Sequence, residues 1–217
     1  MNAHVSDTEK DALSELFGAL ASEVRDLVQP AFVDEKQFDA AHLSQTQRRA
    51  VVRAVFAFVE GLSFALKQFA LDVLNDRLST AERALCREES YELSDNGAAL
   101  TRPMRLRVLH NVRFALTIIP KASETPFTLD VSGEGWQSLR ASLAVRDRLM
   151  HPKSANHLSV SDDDVRNTIA AYHWMQREMV RLFVDVIKLS WVRAGHPEGP
   201  GAKVDTASAQ VNGRGDR

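Results

Sequence analysis

Apolar residues recur at helical spacing along most of the chain, and runs of strict alternation are scarce. Leu13, Leu16, Phe17, Leu20, Val24 and Leu27 share one face of a helix from about Asp7 to Val28. Pro30 closes it, and a short connection runs on through Asp39. Ser44 and Gln47 have capping-box spacing and start a second, longer helix. From Ala50 to Leu74 that helix is apolar apart from Arg53, Glu60, Lys67, Gln68, Asp72 and a few small residues. Such a helix belongs at the centre of a bundle or along one side of a dimer interface. Arg53, Glu60 and Lys67 are seven apart and are expected on one narrow polar stripe, with Gly61 as a point of bending.

Thr80 to about Glu89 reads as a short third helix, with Thr80 and Arg83 near its start. The less helical segment 91–101, turning at Asn96-Gly97, suits a small hairpin. Pro103 is expected in the first turn of a helix that Pro120 ends after Ile119. A loop over 121–133 leads to a helix from Gly135 to Met150, which Pro152 stops. Ser161 and Asp164 cap a last helix running to about Val192, whose inner side carries Val165, Ile169, Tyr172, Met175, Met179, Leu182, Phe183 and Val186. Residues 194–217 turn to Gly, Pro, Ser and charge, as in a disordered tail, and Arg214-Gly215-Asp216 within it is read as coincidence. The pattern predicts an all-α protein: one domain over 1–193, an antiparallel bundle of five or six helices with a small hairpin.

Composition narrows this further. With 44% hydrophobic and 26% charged residues in 217, the chain can bury a sizeable core, so wholesale disorder is excluded. Cys86 is alone, which rules out an internal disulfide and a cysteine-based zinc cluster and fits a reducing, cytoplasmic setting. The N-terminus lacks the pattern of a signal peptide, and no stretch is apolar enough to span a membrane. The net charge of −2 conceals a polarity: residues 1–96 carry −7, residues 97–153 carry +5, and the remainder is neutral. A polyanion responds to that local potential, so the average does not exclude nucleic acid.

Gly-rich phosphate loops, His-Glu-x-x-His, paired cysteines and Gly-x-Ser-x-Gly are all absent, and no two histidines stand at i,i+4, so metal binding has no support. Chemistry concentrates instead in Val145-Arg146-Asp147-Arg148-Leu149-Met150-His151-Pro152-Lys153. Asp147 and His151 are i,i+4 and can meet on one face. Arg146 and His151 are five apart, on different faces of a regular helix. Pro152 biases His151 out of the α region and lets it turn back toward Arg146. An imidazole for proton transfer beside a guanidinium for phosphate fits phosphoryl chemistry on RNA. Arg102, Arg105, Arg107 and Arg113 give the preceding helix a basic side without a nearby acid. His110 and His173 are expected to be structural, and Trp136, Trp174 and Trp191 to sit in the core or an interface.

Arg146-Asp147-(three residues)-His151, closing a helix before a loop and the capped Ser161-Asp162-Asp163-Asp164 helix, resembles the Arg-polar-(x)-His motif of the HEPN superfamily (higher eukaryotes and prokaryotes nucleotide-binding). The resemblance extends over roughly 44–190. It implies a metal-independent endoribonuclease without cofactor, acting on RNA as a homodimer whose two motifs face a shared cleft, in the role of a toxin or defence protein held by an antitoxin. His151 would then activate a ribose 2′-hydroxyl, leaving a 2′,3′-cyclic phosphate, and Arg146 would bind the scissile phosphate. Asp147 would orient His151, Glu60 would reach Arg146 across the bundle, and Arg148 and Lys153 would contact RNA. Some relatives carry a tyrosine two positions after the histidine that a partner enzyme modifies; Lys153 stands there instead. Other relatives are non-catalytic, which leaves a helical module binding RNA, nucleotide or protein as the alternative.

Overall fold

The computed structural model describes residues 7–34 and 37–193. It is an all-α bundle with two short hairpins. Helix α1 (Asp7–Val28) is followed by a 3-10 turn and a tight pair, β1 (Phe32–Asp34) and β2 (Gln37–Phe38). Next come α2 (Gln45–Leu74), α3 (Thr80–Cys86), the hairpin β3 (Glu89–Leu93) and β4 (Ala99–Pro103), α4 (Val108–Ser123), α5 (Glu134–Met150) and α6 (Asp162–Arg193). The expected tail, 194–217, lies outside the described residues, as does the side chain of Trp191.

Helix α2 is the axis of the bundle and packs against α1, α4, α5 and α6. Its start is the capping box read from sequence: Gln47 N–H donates to Ser44 Oγ, and Ser44 N–H donates to Gln47 Oε1 at 2.9 Å. Phe58, Leu62 and Leu66 on α2 meet Leu116 and Ile119 on α4 and Met175 and Leu182 on α6 in one buried cluster. Phe58 packs edge-on against Tyr172 at 4.9 Å, and Trp136 against Trp174 at 5.5 Å. The helically spaced apolar positions of α6 therefore face the core as expected, and both described tryptophans belong to it.

Several local expectations differ. The connection after Pro30 is not featureless, because Phe32 pairs with Phe38 across β1–β2 with their rings 5.5 Å apart. Pro103 is not helical but ends β4, opposite Glu89; the last position of a two-stranded ladder tolerates a missing N–H. Pro120 does not end its helix, which continues to Ser123. One donor is lost, but Ile118, Ile119, Pro120 and Ala122 are all buried, and Thr125 N–H returns to Pro120 O at 2.8 Å to close the end.

The polar stripe on α2 also fails at one end: Arg53 is exposed and Glu60 half-buried, while Lys67 is wholly buried with Nζ 2.5 Å from Glu88 Oε1. A straight helix drifts ~20° per heptad from a seven-residue repeat, so a stripe that begins in solvent rotates into the core within two heptads. The helix runs unbroken through Gly61, where an added Cβ would stand 2.9 Å from Leu20 Cδ1; this glycine admits α1.

Candidate functional site

The motif occupies the last turn of α5 and the connection to α6. Leu139, Ser142, Val145 and Leu149 are buried and set the inner face of α5. Arg146, next to Val145, consequently projects along the rim of that face. Its side chain is 27% exposed and is gripped on both nitrogens: Nη2 donates to Glu60 Oε1 at 2.8 Å, and Nη1 to Asp147 Oδ1 at 3.1 Å. Glu60 thus reaches Arg146 across the bundle from α2. Two carboxylates around one half-exposed guanidinium fix its plane and offset its charge.

His151 marks where the chain leaves the helix. Its N–H still donates to Asp147 O at 3.1 Å, but its backbone (φ −130°, ψ 60°) is no longer helical, as the following Pro152 requires. The side chain is exposed, and among the described residues its imidazole has no hydrogen bond or ion pair. Asp147, expected to orient that ring, turns to Arg146 instead. A carboxylate one residue from a guanidinium gains a stronger, charge-assisted bond there.

The two flanking basic residues part company. Arg148 Nη2 donates to Ser159 O and to Asp164 Oδ2, both at 2.7 Å, tying the end of α5 to the start of α6. It is committed to the fold. Lys153 is exposed, and its backbone N–H donates to His157 Nδ1 at 3.2 Å, within a loop that forms a 3-10 turn at Ala155–Leu158. At the start of α6, Ser161 and Asp164 cap each other reciprocally: Ser161 N–H donates to Asp164 Oδ2 at 2.9 Å, and Asp164 N–H to Ser161 Oγ at 3.1 Å. Burial raises the Asp164 pKa, but the Ser161 N–H and the Arg148 guanidinium outweigh it and leave the carboxyl below its ordinary value.

Sequence reasoning passed over the residues that seat this loop. Gln45 brackets Val160, accepting its N–H and donating to its carbonyl, both at 2.9 Å. Arg48 is buried and donates to Leu43 O, Ala40 O and Val160 O, each at 2.9 Å, with Nη2 also 2.6 Å from Asp162 Oδ1. Arg49 Nη1 reaches Leu158 O at 3.1 Å. One signal was available: a cation at the first turn of a helix opposes the macrodipole, so Arg48, the fourth residue of α2, needs partners elsewhere.

His110 and His173 are exposed, not structural in the core, and Arg102 does have a nearby acid, Glu92, at 2.5 Å. A cleft of about 320 Å³ lined by Arg77, Leu78, Glu82, Lys121, Ala122 and Glu124 includes none of the motif residues. Among the described residues, no three His, Cys, Asp or Glu side chains are grouped to hold a metal ion, and no helix is long and apolar enough to cross a membrane. No family model, curated protein or solved structure matches the chain.

Proposed function

We propose that the chain is a HEPN-like, metal-independent endoribonuclease whose reacting groups are Arg146 and His151. The observation that carries this reading is the contrast at the end of α5: a guanidinium held in place by Glu60 and Asp147 in the last turn, and at the C-cap an exposed imidazole with no hydrogen bond or ion pair among the described residues. A positioned cation suits a phosphate that gains charge in the transition state. An uncommitted imidazole suits removal of the 2′-hydroxyl proton. The oxygen then attacks phosphorus, the bond to the 5′-oxygen breaks, and a 2′,3′-cyclic phosphate remains.

One motif histidine per chain supplies either the base or the acid that protonates the leaving oxygen. The reading therefore calls for a homodimer in which a second chain contributes the other group. Asp147 acts on Arg146 in this scheme, and Lys153 is the flanking cation left for RNA. An antitoxin covering the exposed His151 would silence such an enzyme. The pairing of Arg146 with two carboxylates favours a second reading, a non-catalytic helical module, because a neutralised guanidinium has less to offer a phosphate.

Incubating RNA with the full chain in EDTA separates the two. Cleavage to cyclic phosphate ends by the wild type, lost in His151→Ala and Arg146→Ala, supports the enzyme. Intact RNA with the wild type, or equal cutting by the variants, leaves the binding module.

A further inference from the structure

We propose that the outer face of the β3–β4 hairpin, together with Arg105, Arg107 and Arg113, is a binding surface for single-stranded RNA, separate from Arg146 and His151. RNA, as the polyanion, is taken from the ribonuclease reading. The surface itself stands whether or not the chain cuts what it binds.

Residues 96–123 contain five basic side chains and no acidic one. Two of the five are spoken for, Arg102 by Glu92 and Lys121 by Glu82, each at 2.5 Å. Arg105, Arg107 and Arg113 are exposed and, among the described residues, have neither an ion pair nor a hydrogen bond from their side chains. The placement of Arg107 is unfavourable to the fold. Arg107 immediately precedes α4, whose first turn holds no acidic residue, so the helix field adds to the arginine charge where it would ordinarily be offset. Among the described residues no carboxylate offsets that charge, whereas a phosphate backbone would.

The hairpin supplies the second element. Its register sets Tyr91 opposite Thr101 and Leu93 opposite Ala99, so all four side chains share a face. Tyr91 is 58% and Leu93 77% exposed. The ladder continues for one more bond, Met104 N–H to Glu88 O at 2.6 Å. Beyond it exposure alternates: Met104 and Leu106 are half-buried, and Arg105 and Arg107 face solvent. The hairpin is preorganised at its turn, where Gly97 takes φ +77° and Ser94 both donates to and accepts from Ala98. Thr101, opposite Tyr91, is four residues before Arg105 on the strand whose continuation carries Arg105 and Arg107. Glu89 shares the face of Tyr91, while Glu88, just before β3, and Glu92 are paired with Lys67 and Arg102. An exposed aromatic ring and unpaired guanidiniums on one connected element can stack a base and neutralise phosphates. Two exposed apolar side chains fall far short of the ~800 Å² per partner that a stable protein interface covers.

The test uses the full chain and a fluorescein-labelled oligouridine of about 16 nucleotides, read by fluorescence anisotropy over a range of KCl concentrations. The triple variant Arg105→Gln/Arg107→Gln/Arg113→Gln is expected to bind at least tenfold more weakly. Its log–log salt slope should be shallower by about 2, at ~0.7 per phosphate contact on a single strand. Tyr91→Ala, which leaves every charge in place, is expected to lose about fivefold or more with the slope unchanged. A wild type that binds the oligouridine and leaves it intact sinks the ribonuclease reading and keeps this one. No binding by the wild type, equal binding by the triple variant, or displacement of the RNA by polyglutamate at equal charge would overturn the proposal.

Discussion

Replacing Arg48 by methionine tests how the candidate site is built. Methionine keeps most of the apolar volume and removes the fork of donors. Three carbonyls then lose a charge-assisted bond, but unequally. Ala40 O keeps the Leu43 N–H at 3.0 Å, and Val160 O keeps Gln45 Nε2. Leu43 O loses its side-chain donor in a residue that is only 3% exposed. Orphaning one buried carbonyl costs about 1–3 kcal/mol, and each partly satisfied one about 0.5–1 kcal/mol. The ion pair to Asp162 adds little, since that carboxylate is 41% exposed and screened by water. The expected loss is about 3 kcal/mol in urea unfolding followed by far-UV circular dichroism. Asp162→Asn should cost less than about 1 kcal/mol by the same measure. Amide exchange at Leu158 to Asp162 should accelerate in Arg48→Met beyond the global change, because the start of α6 loses its anchor. Stability of Arg48→Met within about 1 kcal/mol of the wild type, or Asp162→Asn costing as much as Arg48→Met, would refute the assignment of Arg48 as a carbonyl clamp.

Other perturbations probe separate elements. Gly135→Ala puts a Cβ 2.2 Å from Trp174 Cδ1 and 2.6 Å from its Cβ, so overpacking should cost about 1–3 kcal/mol and lower Tm; an unchanged Tm contradicts the tight α5–α6 contact. Cys86 is fully buried, and burial pushes its thiol up to about 11, so it should resist Ellman's reagent in the native protein and react in urea; rapid native labelling would show the end of α3 to be open. The Lys121 ammonium, then the Ser79 hydroxyl and N–H, hold Glu82 down at about 2 from an ordinary 4.5. Its stabilising contribution is therefore complete above pH 4.5 and lost as pH falls toward 2, so Glu82→Gln should flatten the acid limb of the stability curve, and an unchanged limb removes Glu82 as its cause. Glu60→Ala leaves Arg146 held only by Asp147; under the ribonuclease reading it should slow cleavage by about 10-fold or more with little loss of RNA binding, and unaltered cleavage removes Glu60 as a positioning residue.

What could be read from the chain in advance is what local bonds determine. The boxes at Ser44/Gln47 and Ser161/Asp164 and the turn at Asn96-Gly97 each close within a few residues, so their residue types suffice. Ser79, missed as the cap of α3, belongs with them: its side chain accepts Glu82 N–H while Glu82 accepts Ser79 N–H at 2.9 Å, a signal hidden behind the adjacent Thr80. Pro103 and Pro120 misled because a proline records one missing donor, and surrounding contacts decide whether the element survives it. Lys67 misled because heptad spacing was treated as a constant direction on a straight helix.

The site shows the same division along a different line. Arg146 and His151 could be singled out by type and spacing, and so could Glu60 by its place on α2. Which groups hold the motif still could not, because Gln45 and Arg48 act on Val160 from more than 110 positions away. Those long-range bonds give α2 its part in the site. Arg48 and Glu60 are twelve residues apart on one helix, ~18 Å along its axis at 1.5 Å per residue. Glu60 fixes the end of α5 through Arg146, and Arg48 fixes the start of α6 through Val160 and Asp162. The connection bearing His151 is thereby stretched between two points on a single rigid element. Arg148 closes the figure by joining α5 directly to Ser159 and Asp164. His151 and Lys153, exposed between these anchors and without side-chain partners among the described residues, are the groups the fold leaves available. Both ends of the loop are held from α2 while an imidazole between them stays unengaged, and that asymmetry is the physical ground for proposing a site here.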